Sequence, residues 1–500
     1  MTSKSLWMSV AVAPQAIPLK GDQQCDVVVI GGGIAGLSTA YELSQRGRSV
    51  IVIDRGPIAG GMTARTSAHL APLCDDLMSE MQKIKGEEQS KLFYESQAAA
   101  VDRIEEIQKH ERIECDFRRL DGYLFQGDGM PPDVIDEELD AVRAVGAPVQ
   151  RLVGVPLSGC DNRHALRYPR QATFHPLKYL AGVAEACAKH KVKFFADTPV
   201  EEVIEENGAV TVKTPRGTVR AGHAVVATNS SIVDRVALHS KTAPYRTYVV
   251  GFAIKRGALP DALYWDTEEP YHYVRLQLGD NGKDFVLVGG EDHKSGEADD
   301  ADERFDRLEQ WARDKMPMLQ DVTHRWSGQV LDTIDYAGFI GRNPGSEYVY
   351  VATGDSGQGL THGVMGAILN ATLVTGGESK WATLYAPDRK PLKAAKNWVM
   401  ENSTALKNLT EYVTPGEISS TDELQPGQGA IMREGLKKIA AYRDAKGVVH
   451  QHSAACTHLG CHLHWNSFEH CWDCPCHGSI FGPEGQVLNA PAISGLNPVS

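Results

Sequence analysis

The sequence predicts an α/β domain with an antiparallel sheet set into it, followed by a small all-β module, and three observations lead there. A short apolar strand, Cys25-Asp26-Val27-Val28-Val29-Ile30, runs straight into Gly31-Gly32-Gly33-Ile34-Ala35-Gly36 and then a helix. The middle of the chain, about 241–326, alternates apolar and polar residues in short runs, as half-buried strands do. The last fifty residues carry two cysteine–histidine loops, Cys456-Thr457-His458-Leu459-Gly460-Cys461 and Cys474-Pro475-Cys476-His477-Gly478-Ser479.

Residues 1–24 place one lysine before Leu6-Trp7-Met8 and hold no apolar stretch of secretory length, so no signal segment is expected. The strand from Cys25 is expected to be buried and parallel, followed by a helix over 37–46 and a second strand over 49–53 that ends at Asp54. Gly31, Gly33 and Gly36 lie between strand and helix, and the acid stands 18 residues beyond Gly36, which satisfies the dinucleotide-binding context. The glycines let backbone approach a pyrophosphate at the helix N-terminus, and Asp54 binds a ribose hydroxyl. Ile34, Ala35 and Arg55 flank the same site.

A small-residue loop, 60–69, follows; its Thr63, Ala64, Arg65 and Thr66 suit close backbone contact with a flavin. Thr198-Pro199-Val200 is expected to open a strand, and 224–229 forms another. A strand over 348–352 leads into Thr353-Gly354-Asp355-Ser356-Gly357-Gln358-Gly359-Leu360-Thr361-His362-Gly363 and a helix. This arrangement resembles the D-amino-acid oxidase/glycine oxidase/sarcosine oxidase family of FAD enzymes over roughly 26–377. The resemblance implies an α/β FAD-binding fold, Rossmann-like and of the glutathione-reductase type, interleaved with an antiparallel β substrate domain. It implies that Val200 meets the adenine through its backbone, and that Gly354, Gly357, Gly359, Leu360 and Thr361 abut the flavin ring. The positive end of the following helix then lies near the N1–C2=O edge. Only one dinucleotide fingerprint is present, so the flavin is expected to be reduced by a substrate bound directly over it rather than by a second nucleotide.

The C-terminal loops read C-x-H and C-x-x-H, with 15 residues between His458 and Cys474. Those donors suit a [2Fe–2S] centre in which Cys456 and Cys474 hold one iron and His458 and His477 the other. The same four also make a tetrahedral S2N2 set for zinc, although Cys461 and Cys476 are then two sulfurs more than zinc needs. The loops resemble, without a gap, those of the Rieske family of the cytochrome bc type. That resemblance implies a disulfide between Cys461 and Cys476 clamping the loops, and a hydrogen bond from Ser479 to a cluster sulfur. Two residues past the serine, the family's tyrosine is Phe481 here, which implies a lower potential within the roughly −150 to +300 mV Rieske span.

Five hundred residues suit two or three domains, and 42% hydrophobic residues bury ordinary cores. A net charge of −13 without a basic run argues against a nucleic-acid partner. No window approaches eighteen continuous apolar residues, so no membrane span is expected. Cys25, Cys74, Cys115, Cys160 and Cys187 are scattered and read as thiols of a reducing, cytoplasmic compartment, in which a Cys461–Cys476 disulfide is an exception. Cys471 has no assigned role.

The substrate is least legible. Amino-acid-oxidising relatives clamp a substrate carboxylate with an arginine where this chain has Val330, so that anchor is absent from its place. Either the substrate carries no carboxylate there, or another cation takes over, with Arg246 and Arg275 as candidates and a structural ion pair or surface charge as the alternative for both. Tyr245, Tyr271 and Tyr273 can build an aromatic wall for an ammonium group, and His69 and His362 beside the flavin loops can serve as bases.

The expected organisation is an N-terminal segment (1–24), an FAD-dependent oxidoreductase domain (25–385, substrate sheet mainly 241–326), a connector (386–424) and a Rieske domain (425–500). Residues 390–407 read as helix, 78–110 as one or two long helices and 301–315 as an amphipathic helix with a solvated face. The short tail after the cluster loops has no room for the catalytic iron domain of a Rieske oxygenase. The expected function is oxidation of a C–N bond of a small amine or amino acid, with electrons passing from flavin to cluster and on to an external one-electron acceptor protein. Two alternatives stand beside it: an oxidase using O2 with a structural or sensing cluster, and a non-catalytic electron relay.

Overall fold

The computed structural model describes residues 1–233 and 238–499, with the side chains of 392, 403–407 and 409 left out. Gln23–Ile30 pairs in parallel with Val50–Ile53 on one side and Gly217–Val226 on the other. Gly31 has φ +103°, and a Cβ there would press on the Ala227 carbonyl. A Cβ at Gly36 would strike the Gly31 carbonyl oxygen, so the helix Ile34–Gln45 lies directly on the turn. The sheet runs on through Val349–Thr353 to Phe339–Arg342, and at the other edge to Lys193–Phe195. Alternation divides its strands between two cores. Val27, Val29, Val50 and Val52 face the helices Ile34–Gln45, Glu87–His110, Pro176–Lys189 and Gly359–Val374. Val28, Ile30, Ile51 and Ile53 face the flap formed by Glu202–Glu206 and Ala209–Thr214.

The second sheet has nine strands among the described residues. Five (Thr242–Lys255, Leu263–Asp266, His272–Leu278, Lys283–Lys294 and Val322–Thr333) come from the expected region, and four come from 69–173. It is antiparallel except where Leu263–Asp266 runs alongside Arg118–Phe125. Ala301–Lys315 buries Phe305, Leu308 and Ala312 against it and turns its charges outward. Residues 198–200 do not open a strand: Pro199 has no N–H for a ladder, and the Thr198 N–H is spent on the Asp54 carbonyl, so the strand begins at Glu202. Gly86, with φ +79°, separates Met78–Lys85 from Glu87–His110.

The C-terminal module consists of a three-stranded sheet (Gly429–Glu434, Lys437–Arg443, Val449–Ser453) and a four-stranded one (His464–Asn466, Cys471–Asp473, Ile480–Phe481, Val487–Asn489). The helix Ala395–Thr410 ties it to the larger part. Asn397 donates to the Ile334 carbonyl and Asn402 to that of Ser240, and Asn408 both donates to the His462 carbonyl and accepts its N–H. No helix among the described residues is long and apolar enough to cross a membrane.

A buried charge network docks the two parts. Arg246 donates to both carboxylate oxygens of Asp473 (2.7 and 2.6 Å) and to Ser327 Oγ (2.9 Å). Glu469 accepts from Arg65 (2.8 Å), Ser327 (2.6 Å) and Ser3 (2.5 Å). The first residues thus strap the module down, and Trp7, fully buried, donates to the Thr66 carbonyl. Burial pushes the Glu469 carboxyl up, but Arg65, Arg246 and the two hydroxyls outweigh it and hold the group down at about 2. Glu469 therefore contributes stability that is complete above the ordinary glutamate value, about 4.5, and is lost as pH falls towards 2.

Arg246→Met leaves Asp473 buried without its cation and is expected to cost about 3–5 kcal/mol in urea unfolding. Lys213→Met, at the exposed Lys213–Glu202 pair, is expected to cost roughly 0–1 kcal/mol in the same assay. Equal losses would contradict the docking role.

Candidate active site and cluster-binding site

Between the two sheets lies a cavity of about 680 Å3. At one end it is lined by Gly31, Gly33, Ile34, Ala35, Asp54, Arg55, Thr63, Thr66 and Val200, and further along by Gly354, Gly357, Gly359, Leu360 and Thr361, all expected from the sequence. Gly36 and Ala64 do not line it. Gly36 lies beneath the Gly31 carbonyl, and Ala64 is buried, its carbonyl taken by Ser5. Arg65 reaches the wall, but its guanidinium turns into the docking network. Asp54 accepts the N–H groups of Gly32 (2.6 Å) and Gly56 (2.9 Å) and is raised by burial, so an added hydroxyl donor favours its ionised form. The helix Gly359–Val374 presents its N-terminus to the cavity. A close glycine turn, a buried acid and a helix N-terminus along one cleft fit FAD.

The second sheet supplies the opposite wall, with Tyr245, Tyr271 and Tyr273 on it. Tyr271 Oη donates to Asp75 (2.9 Å). The two arginines expected as carboxylate anchors do not reach the cavity. Arg246 is held by Asp473 and Ser327. Arg275 is spent on the carbonyls of Ala68 (3.0 Å) and Phe174 (3.1 Å) and on Gln277 (2.5 Å), with the Trp7 ring 5.3 Å away. Neighbouring residues of a strand face opposite sides, so Tyr245 and Thr247 look into the cavity while Arg246 looks away. Val330 does line the wall, and it brings no charge. His69 and His362 line it too; burial lowers them to about 3 and about 4, so both rings are neutral at ordinary pH.

What the sequence did not reveal is the charge of this wall. Asp75, Asp76, Glu269, Asp292, Asp332 and Asp355 all border the cavity. Only the adjacent Asp75 and Asp76 hint at a cluster in the sequence, the others being scattered singly over 269–355.

The cluster loops meet as expected. A disulfide joins Cys461 and Cys476. Cys456 Sγ accepts the N–H groups of His458 and Leu459 and the Ser479 hydroxyl, and Cys474 Sγ those of Cys476 and His477. These donors favour a thiolate at each sulfur; the neighbouring Cys456 sulfur and burial nevertheless push Cys474 well up, while Cys456 is lowered. The His458 and His477 rings lie 5.1 Å apart, and the buried His477 Nδ1 has no hydrogen-bond partner among the described residues. Burial lowers His477 to about 4, so the ring is neutral at ordinary pH and keeps one nitrogen with a free lone pair for a metal. Two thiolates and two neutral imidazoles converging under a disulfide fit a [2Fe–2S] cluster.

The imidazoles do not point outward. His239, in the turn His239–Lys241 of the larger part, is buried and packs edge-on against both, at 4.8 Å from His458 and 5.6 Å from His477. The next loop touches the cavity wall: Gln329, which lines it, accepts from Asn489 (2.8 Å), and Gly478 has no room for a Cβ between Gln329 and Pro244. Leu488, Asn489 and Ala490 of the module complete the cavity. No local motif marks His239.

A family model for FAD dependent oxidoreductases matches residues 26–372, and one for the Rieske [2Fe-2S] domain matches 415–499. The putative Rieske 2Fe-2S iron-sulfur protein YhfW of Bacillus subtilis is 28% identical over 502 residues, 99% of this chain and 97% of its own length. Gamma-glutamylputrescine oxidoreductase of Escherichia coli is 25% identical, over 70% of this chain and 84% of its own. Glycine oxidase from Geobacillus kaustophilus shares the fold with a TM-score of 0.63 at 18% identity, over 74% of this chain and 99% of the enzyme.

Phe481 is fully buried beside Trp472 in the module's sheet. Phe481→Tyr is expected to raise the cluster potential by roughly 20–60 mV, the one-electron equivalent of a hydrogen bond worth about 0.5–1.5 kcal/mol. An EPR-monitored redox titration reads the shift, and an unchanged midpoint would contradict it.

Proposed function

The chain belongs to the FAD dependent oxidoreductase family and ends in a Rieske [2Fe–2S] domain, and on that premise we propose that it oxidises a C–N bond of a small amine or amino acid and delivers the electrons, through the cluster, to an external one-electron acceptor. An H–C–N–H unit gives up two electrons and two protons and becomes an imine, which water hydrolyses to a carbonyl and a released amine. FAD, when bound, takes both electrons at once, and the cluster moves them one at a time.

The observation that carries the reading is the contact of His239 with both cluster imidazoles. An appended sensor needs no such seat. Here the imidazole edge of the cluster site is turned into the flavin-binding part, and Gln329 borders cavity and cluster loop alike. The chain's own residues then divide the work. The turn around Gly31 and Asp54 holds the dinucleotide, Leu488 to Ala490 close the cavity against water, and Tyr271 with Asp75 orients the substrate at the wall. Leu459, exposed beside His458, offers the acceptor an apolar contact. The Escherichia coli relative carries an amine in its name, which agrees with a C–N substrate. Cys25, Cys74, Cys115, Cys160 and Cys187 are all free, which supports a reducing, cytoplasmic setting.

Anaerobic titration with a panel of primary amines, N-methylamines and amino acids, followed at the flavin band and by EPR of the cluster, tests this. One member should bleach the flavin and then reduce the iron. His458→Ala is expected to leave the bleaching intact and abolish turnover with a one-electron acceptor; unchanged turnover, or stoichiometric peroxide in air, refutes the route.

A further inference from the structure

We propose that the cavity selects a multiply charged amine cation, a diamine or polyamine, and rejects amino acids. This deepens the C–N oxidation reading and rests on it.

Besides Asp54 at the glycine turn and Glu401, which is paired with Lys294, six carboxylates border one space. Asp75 and Asp76 follow the strand His69–Leu70, Glu269 precedes His272–Leu278, Asp292 and Asp332 stand on Lys283–Lys294 and Val322–Thr333, and Asp355 follows Val349–Thr353. Among the described residues none of the six has an ion pair with a lysine, arginine or histidine. Tyr271 donates to Asp75 and the Leu331 N–H to Asp355. Among the described residues the only lysine or arginine side chains on the cavity are Arg55, beside Asp54, whose Nη2 donates to the Ala492 carbonyl while its buried Nη1 has no partner, and Arg65, committed to Glu469. The arginines that could have received a substrate carboxylate, Arg246 and Arg275, are sequestered outside it.

The electrostatic consequence follows directly. An α- or ω-amino acid entering this space brings a carboxylate towards six of its own kind, while the two lining arginines are Arg55, beside Asp54, and Arg65, paired with Glu469. A diammonium chain finds acids for both ends, with Trp265, Tyr271, Tyr273 and Tyr336 beside it as faces for methylene groups and cation–π contact. Without a guest the acids relieve their confinement by holding protons. Burial lifts Asp75 to about 6; burial and then the neighbouring carboxylates lift Asp76 and Asp292 to about 7 and Asp332 well above the ordinary range. The surrounding groups do not undo this. A hydrogen bond from Thr247 and then Arg304 oppose the rise at Asp292 without cancelling it, Glu80 adds to that at Asp76, Lys294 is paired with Glu401, and His69 and His362 are neutral. A bound cation lowers these values, so binding releases protons, and affinity falls as pH drops through 7 towards 6.

The test is anaerobic calorimetric titration of the holoprotein with 1,4-diaminobutane, 1-aminobutane and 4-aminobutanoate. They have the same backbone length, and their far ends are cationic, neutral and anionic. Affinity is expected to fall in that order, by about tenfold per step, with proton release for the diamine read from buffers of different ionisation enthalpy. Asp332→Asn and Asp292→Asn should each narrow the gap while leaving the flavin spectrum and the cluster EPR signal unchanged. Equal or tighter binding of 4-aminobutanoate, or gaps unmoved in both variants, overturns the proposal. The flavin band separates the two readings. Bleaching by the zwitterion alone sinks the diamine preference and keeps C–N oxidation. Diamine binding in the expected order with no bleaching by any amine or amino acid sinks C–N oxidation and keeps the charge preference.

Discussion

The arrangement depends on two buried ion pairs that cross between the parts of the molecule, Arg246–Asp473 and Arg65–Glu469. Buried pairs of this kind contribute little net stability against an apolar substitute, because desolvation offsets the Coulomb attraction. What they impose is position. A bidentate guanidinium on Asp473 fixes the residue next to Cys474 against the strand Thr242–Lys255, and Glu469 pins the same hairpin to the flavin loop. Ser327 bonds to both pairs and makes them one unit.

Everything functional follows from that docking. With the module seated, its imidazoles lie under His239 and its last strand caps the cavity. The nucleotide end of the cavity is backbone chemistry, built by a glycine turn and a helix N-terminus. The far end is side-chain chemistry, built by carboxylates from five separate segments. The two ends differ in what they can hold because one offers backbone N–H groups and the other a set of carboxylates among tyrosines.

The legible parts of the site were those whose chemistry is local. Gly31 and Gly33 adjoin a strand and a helix that any reader of the sequence can place, and each cluster loop spans six residues. Ala64 and Gly36 misled because proximity in sequence to a binding loop does not say which way a Cα faces. Arg246 and Arg275 misled for a related reason. An arginine among tyrosines looks like a ligand anchor until strand alternation sends it to the other side, where Asp473 or a row of carbonyls receives it. The four sheet strands from 69–173 were invisible because several are short and half exposed, as Gln150–Val153 is, and carry little periodicity.

The sequence by itself determined the two families and their cofactors, the α/β fold that carries the first and the cysteine–histidine loops that mark the second. These are short-range facts, set by residues within one turn or loop. Only the tertiary structure decided that the cluster loops pack against the larger part, that His239 meets both imidazoles, and that six acids from distant segments share one cavity. Those outcomes depend on which strands become neighbours and on which ion pairs dock the module. Both are settled by long-range packing that no stretch of the chain contains.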